Sequence, residues 1–444
     1  MPLHPVLLEK LNHALLPTPP SSMTPRDARL PAVKGKVHAV IGMRRAGKTT
    51  FLRQLQADLR RKLAPERALY ISFDDDRLAG LGADQLSLLL EEYYRRFPDL
   101  QGRETVHWFL DEIQLVDGWD RFVRRAIDSE KVEIAVSGSS ARMLSREVHT
   151  SLRGRGMETV IRPFGFREFL RHRGEEPAAE PARWTARQRS KVEMRFREYL
   201  TEGGFPETQG LSATLRVELL QSYVDTVLFR DIVERHKVSQ VAALRWMIRH
   251  CLRSPAGAFS IHKMHLDLKA QGHGVAKDAL HELFGHLTDA FVIDAVPLAT
   301  ESERRRNSNP RKIYPIDPGL IGAFDASGRA NIGHALECAV QGELARRRAA
   351  VGYVRTGQGF EVDFLARAPG AAQELIQVCA DLSSGDTLAR ELRALQDARQ
   401  EHPRALRRLL TLDRSLPSIP ERAKVAAQPA YEWMLADGTL GLHE

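Results

Sequence analysis

Apolar residues recur along this chain in two rhythms, and the rhythm shifts from one stretch to the next. Between Lys36 and about Phe166, short unbroken apolar runs (VHAVIG, ALYISF, TVHWFL and VEIAVSG) alternate with amphipathic stretches. A run of that length without polar alternation predicts a strand covered on both faces, as in a parallel sheet. Strand and helix in turn predict an α/β domain. From Arg167 to about Lys237 the spacing is helical, except at the turn Gly203-Gly204-Phe205-Pro206. A second helical stretch over 240–293 leads into FVIDAV and, after a polar insert, KIYPID. Beyond 330 the pattern returns to mixed α/β, with a helix around HALECAVQGELARRR and strands at GYVRT, EVDFLA and ELIQVC. The N-terminal residues MPLHPVLLEKLNHALL read as a short amphipathic helix, and Pro17 to Pro25 as a linker.

Composition narrows the class. With 444 residues, 43% apolar and 27% charged, the chain is an ordinary globular protein of two to four domains, neither fibrous nor mainly disordered. Its net charge of +8 makes polyanions plausible partners, although that excess is dilute over this length. Cys251, Cys338 and Cys379 are too scattered for a disulfide framework or a metal knuckle and are expected to be reduced. His262, His265, His281 and His286 lack the carboxylate or cysteine spacing of a zinc site. No run approaches the ~20 apolar residues of a membrane span. Glu9 and Lys10 interrupt the only N-terminal apolar stretch, so neither a signal peptide nor a membrane anchor is expected. The expected location is the cytoplasm.

The chemistry begins at Gly42-Met43-Arg44-Arg45-Ala46-Gly47-Lys48-Thr49, a complete GxxxxGK[ST] motif between the strand VHAVI and the helix TTFLRQLQADLRR. Glycines let the backbone wrap phosphates, and the helix start supplies free N–H groups and positive dipole. Lys48 reaches the terminal phosphates and Thr49 ligates Mg²⁺. Gly42, Arg44, Arg45, Ala46, Gly47, Lys48, Thr49 and Thr50 are therefore the expected ATP contacts. The next strand but one, Val106 to Leu110, runs into Asp111-Glu112. An acid at that strand end is placed to hold Mg²⁺, and the following Glu112 to activate a water. Ser137-Gly138-Ser139-Ser140 ends the strand VEIAV and offers a hydroxyl, that of Ser139 foremost, near the attacking water or the reacting phosphate; an ordinary turn is the alternative. Arg153 and Arg155 in LRGR are candidates to stabilise phosphoryl-transfer charge, in cis or from a neighbouring subunit. A solvated basic loop is the alternative there.

GMRRAGKTT, HWFLDEIQ, VSGSSA, LRGR and RPFGFREFL, in that order, resemble the prokaryotic, archaeal-type extended AAA+ ATPases. YLTEGGFPE, LFRDIVERH, KIYPIDPGL, EVDFLA and ELIQV extend the resemblance into a second half known in that family only as a domain of unknown function. The resemblance implies a P-loop ATPase core at 36–166 after an N-terminal helix and linker at 1–35, then a helical lid at 167–238. It further implies a winged helix at 239–325 and a domain like the PD-(D/E)XK nucleases at 326–444. It also implies a homo-oligomer, with a hexamer as one form, in which an arginine of LRGR serves a neighbour's ATP.

Two of those modules can be weighed on their residues. Ser260 is a good N-cap for one helix, and Leu280, Leu283, Leu287 and Phe291 stripe a second. Arg304, Arg305, Arg306, Arg311 and Lys312 make the 301–312 insert basic, the charge expected of a wing that clamps a DNA backbone. A wing that merely solvates a protein-binding module is the alternative. The nuclease chemistry needs two acids and an acid-x-Lys strand to hold Mg²⁺. Glu337 and Asp363 fit the first two places, but Gln377 and Cys379 occupy the third, and Glu374 is out of register. The expectation is an oligomeric Mg²⁺-ATPase acting on DNA, with a last domain that does not cut. An ATP-dependent signalling or defence switch is the rival reading.

Overall fold

The computed structural model describes residues 2–16, 23–138, 154–325, 331–415 and 419–436. The chain divides into two units, Met1–Arg162 and Pro163–Glu444.

In the first unit, helix α1 (Pro5–Leu15) precedes strand β1 (Val37–Ile41), helix α2 (Lys48–Arg60) and strand β2 (Ala68–Ser72). Helix α3 (Ala83–Arg96), strand β3 (Val106–Asp111), helix α4 (Trp119–Ser129) and strands β4 (Val132–Ser137) and β5 (Gly156–Val160) follow. The five strands are parallel in the order β2-β3-β4-β1-β5. The four apolar runs of the sequence are β1 to β4. The fifth strand, GMETV, escaped the pattern because it is an edge strand with one fully buried residue, so its sequence never needed to be apolar. β1 is buried at every position, which is why its five residues carry no charge. Phe51 and Leu52 of α2 pack there on Val40, Phe109 and Ala135.

All five strands point the same way, so every loop that follows a strand emerges at one edge of the sheet. Because β1 and β3 both neighbour β4, the segments after Ile41, Asp111 and Ser137 open side by side.

The second unit begins with helices α5 (Phe166–His172), α6 (Ala186–Glu202) and α7 (Ala213–Thr226), the last running on into a π-helical segment, Val227–Glu234. Thr185 caps α6, exchanging hydrogen bonds with Gln188 at its third position. Next come helix α8 (Val241–Arg253), strand β6 (Ala258–Phe259), helices α9 (Ile261–Ala270) and α10 (Lys277–Asp289), and strand β7 (Ile293–Val296). A short helix α11 (Glu303–Ser308) leads to strand β8 (Arg311–Pro315), and β6-β8-β7 form an antiparallel sheet. Ser260 caps α9 as expected, accepting from the Lys263 N–H.

The remaining elements are helices α12 (Gly319–Phe324) and α13 (Ile332–Arg346) and strands β9 (Ala350–Arg355), β10 (Glu361–Arg367) and β11 (Glu374–Cys379). Helix α14 (Gly385–Glu401), strands β12 (Leu406–Thr411) and β13 (Val425–Pro429), and helix α15 (Ala430–Leu435) complete them. Their sheet runs β13-β12-β11-β10-β9, antiparallel through β11 and parallel beyond it.

One aromatic core joins the start and end of this unit: Phe166, Phe169, Phe196 and Tyr199 pack with Leu336, Phe364 and Tyr431. Helices α5 and α6, expected to form part of a lid, thus share a core with the C-terminal sheet. Truncating the fully buried Phe196 to Ala would cost about 3–5 kcal/mol. Two family-like motifs meet nearby. Asp317 of KIYPIDPGL accepts from the Gly204 N–H at 2.7 Å and the Gly319 N–H at 2.9 Å. A Cβ on Gly203 would lie 1.9 Å from the same carboxylate, so the Gly-Gly turn is a packing requirement of the fold.

The 301–312 insert departs from the flexible basic wing expected of it. Its middle is helical, Arg306 is paired with Glu303, and Lys312 points inward with only 5% of its surface exposed. Alternation explains the last point: within β8, Lys312 and Tyr314 share a face, and that face is interior.

Candidate functional site

The loop after β1 is shaped by two glycines and braced from outside the motif. Gly42 has φ 147°, and a Cβ there would come 2.1 Å from the Ile161 carbonyl oxygen. Gly47, at φ 99°, is the N-cap of α2. No L-residue with a side chain fits comfortably at either place. Arg26, from the segment before β1, is buried and donates to the Ala46 carbonyl at 3.1 Å and to the Arg162 carbonyl. Lys48 lies along the loop, its ammonium 3.0 Å from the carbonyl oxygens of Gly42 and Met43. Arg45 is exposed with φ 64°, Arg44 is half-buried, and Thr49 and Thr50 start α2 at the surface.

Asp111, the last residue of β3, is 2% exposed and surrounded by hydroxyl groups. Thr49 Oγ1 donates to its Oδ2 at 2.8 Å, Tyr70 OH donates to the same oxygen at 2.6 Å, and Ser137 Oγ donates to Oδ1. Burial first, and then the Asp111 carboxylate, push the Tyr70 hydroxyl well above its usual range, so it stays protonated as a donor. The Arg53 guanidinium sits 4.5 Å from the centre of the Tyr70 ring. A carboxylate that accepts from three neutral hydroxyls, one of them the threonine of the loop, suits a hard divalent cation, which prefers oxygen ligands.

Glu112 follows in a left-handed conformation, φ 54° and ψ 39°. A non-glycine residue there is held at a cost of about 1–3 kcal/mol, and such strain clusters at functional sites. Its N–H donates to Ser137 Oγ at 3.4 Å, and its carboxylate accepts from Gln114 Nε2 at 2.6 Å. The kink turns the glutamate out of the strand line, next to the loop edge.

The structure therefore brings together Gly42, Ala46, Gly47, Lys48, Thr49, Asp111 and Glu112. Ser139 and Arg153 lie outside the described residues. Arg155 is not at this edge. It precedes β5, pairs with Asp128, and accepts the Val37 N–H through its carbonyl, at the opposite end of the sheet from the phosphate loop. Five residues of strand, roughly 16 Å, separate the two ends, which removes the in cis role. Tyr70 and Arg26 were missed by sequence reading because each belongs to an element whose own motif looks complete without it, whereas Ser137 belongs to the serine turn already singled out and contacts Asp111 and Glu112.

A second set of charges lies in the C-terminal unit. The Lys312 ammonium is 3.2 Å from Glu337 Oε1, 2.9 Å from Glu361 Oε1 and 2.9 Å from Asp363 Oδ1. Tyr314 OH donates to Glu337 at 2.6 Å, and the Val378 N–H donates to Asp363 at 2.9 Å. Burial alone would lower the Lys312 ammonium, but the three carboxylates outweigh it and hold it charged. Burial, and then Asp363, raise the Glu337 carboxyl to about 7. Glu374, considered as a replacement acid, is engaged by Arg408 through two hydrogen bonds.

A phosphate loop after β1, a buried aspartate at the end of β3, with β4 between the two strands, and a glutamate next to it define an AAA-type P-loop ATPase domain. Residues 34–170 match the family model of the AAA domain, and residues 193–330 match a domain of unknown function, DUF8612. An uncharacterized protein of Methanocaldococcus jannaschii, MJ1544, is 32% identical over 378 residues, covering 84% of this chain and 81% of that protein. The chain belongs to the same family as that protein. An uncharacterized protein of Haemophilus influenzae is 26% identical over 344 residues, 77% of this chain and 81% of its own. Among solved structures, the Walker-type ATPase paby2304 of Pyrococcus abyssi aligns at 15% identity and a TM-score of 0.43, over 72% of this chain and 95% of that one. Among the described residues, no helix is long and apolar enough to cross a membrane.

Proposed function

We propose that this chain hydrolyses Mg²⁺-ATP as a subunit of a homo-oligomer and uses the energy to move or remodel DNA, in duplex or branched form, in repair or recombination. The observation that carries the hydrolytic reading is the Thr49–Asp111 hydrogen bond of 2.8 Å beside a glutamate held in a left-handed turn. Bound Mg²⁺ would neutralise phosphate charge between Thr49 and Asp111. Lys48 exchanges its loop carbonyls for the terminal phosphates, the Gly42–Gly47 backbone cradles them, and Arg44 and Arg45 flank them. Glu112 takes the proton of the attacking water, with Gln114 setting its direction, and Ser137 locks Asp111 to Glu112. Arg153 and Arg155 act, in this reading, on the ATP of the neighbouring subunit.

The DNA part rests on the segment α8-β6-α9-α10-β7-β8, whose element order and antiparallel three-stranded sheet support reading it as a winged helix. Arg304 and Arg305 are exposed in the connection between its last two strands. Lys312 is withdrawn from that clamp. Such a protein works in the cytoplasm, where bacterial and archaeal DNA lies. ATPase rates with and without duplex, forked and four-way DNA test the reading. Stimulation and salt-dependent binding are expected, and their absence at low ionic strength would refute it.

One observation favours a second reading, an ATP-dependent signalling or defence switch that assembles through protein contacts. The exposed face of α10 carries Lys277, Asp278, His281 and Glu282, a balanced set and not a basic one. DNA-independent turnover with ATP-dependent assembly would favour it.

A further inference from the structure

The C-terminal sheet carries acids at the places where the sequence resemblance to nucleases implies a divalent cation, so the first question is whether they fit one. Glu337 stands on α13 and is partly buried, and Asp363 stands on β10 and is buried. The neighbouring strand offers Gln377, whose side-chain oxygen is 3.4 Å from the Asp363 N–H, in place of a third acid. Into this group comes Lys312, from a strand of a different sheet. An ammonium has three donors, and here its three neighbours are three different carboxylates at 2.9–3.2 Å. A Mg²⁺ ion would need the same oxygens at about 2.0–2.1 Å, so ion and ammonium would occupy one point. The residues present do not fit a bound metal.

We infer that the Lys312 ammonium is the resident cation of the Glu337–Glu361–Asp363 pocket, closing it to divalent metal and locking strand β8 to the C-terminal sheet. The lysine absent from position 379 has in effect been supplied from elsewhere in the chain, but in a different office. In metal-assisted hydrolysis a lysine must face the substrate. Lys312 faces the acids, with its donors engaged and 7% of its side chain exposed. Tyr314, two residues along the same face of β8, adds a hydrogen bond to Glu337, so the strand is fastened at two points. The inference concerns only this pocket and stands whichever partner the ATPase serves.

The test uses the full, nucleotide-free chain carrying Asp111→Asn, which silences the nucleotide site's own affinity for metal. Mn²⁺ binding is followed by electron paramagnetic resonance and thermal unfolding with and without millimolar Mn²⁺. In that background no saturable Mn²⁺ site and no Mn²⁺-dependent shift in Tm are expected. Adding Lys312→Ala should lower Tm by roughly 10 °C, create a Mn²⁺ site, and let Mn²⁺ restore part of the loss. Should Lys312→Ala fail to fold, Asp363→Asn with Lys312 retained decides the matter: Tm falls and Mn²⁺ uptake stays absent. Saturable Mn²⁺ binding in the Asp111→Asn chain that disappears on Asp363→Asn would overturn the inference. So would Mn²⁺-dependent DNA cleavage lost on Lys312→Ala, or a Lys312→Ala chain as stable as its parent without metal.

Discussion

Two sites among the described residues each combine a nearly buried lysine with a buried aspartate, and they are built on opposite principles. In the first unit Lys48 rests on backbone carbonyls, while Asp111 is satisfied by the hydroxyls of Thr49, Tyr70 and Ser137. In the second unit Lys312 contacts the carboxylates directly. Neutral donors do not cancel a carboxylate's charge and can turn to another acceptor at small cost. An ammonium cancels charge and can leave only by stranding buried acids. The first arrangement suits a divalent cation, and the second is filled by the chain's own ammonium.

That contrast can be broken or sharpened by substitution. The largest effect is expected from Glu112→Gln, which should lower single-turnover ATP hydrolysis by about 10³-fold while nucleotide binding persists. Full activity in that variant would remove Glu112 from the base role. Lys312→Met, which keeps length and loses charge, should destabilise the second unit by about 3–5 kcal/mol in denaturant unfolding and leave ATP affinity unchanged. Lys48→Ala should do the reverse: ATP binding by titration calorimetry weakens by about 100-fold, with little change in stability. Tyr70→Phe removes one of the hydroxyls on Asp111. Turnover at limiting Mg²⁺ should drop roughly 5-fold and recover at saturating Mg²⁺; no change at either concentration would make Tyr70 a packing residue. Arg155→Ala should alter ATP affinity of the isolated subunit by less than about 0.5 kcal/mol, since Arg155 sits at the far end of the sheet from the loop. A larger loss would contradict that placement.

What the sequence disclosed depended on whether a residue acts with its neighbours in the chain. The phosphate loop and the Asp111-Glu112 step are contiguous signals on strands that must be apolar, and both could be read directly. Glu337, Asp363, Gln377 and Cys379 were also assigned to elements that exist, because α13, β10 and β11 each carry a compact apolar run. Tyr70 was hidden because one polar hydroxyl does not disturb the run ALYISF. Ser137 was legible only as part of a serine-rich turn, whose later members lie outside the described residues. Lys312 misled for a different reason. A count of basic residues carries no direction, and one step along β8 separates Arg311, whose guanidinium lies over the Phe284 ring, from an ammonium pointing into the interior. β12 and β13 were overlooked as well, and LRRLLT shows why: its buried positions are interspersed with arginines, one of them paired to Glu374.

Arg26 has a practical implication for anyone who would study the ATPase part alone. The recognisable AAA region begins at residue 34, yet the guanidinium that grips the Ala46 carbonyl belongs to a segment upstream of it. A fragment trimmed to the domain boundary would keep every residue of the nucleotide motif and lose the strut behind it. Its loop would then have to be ordered by ATP itself, and weak binding by such a fragment would report the missing strut and not the chemistry of the site.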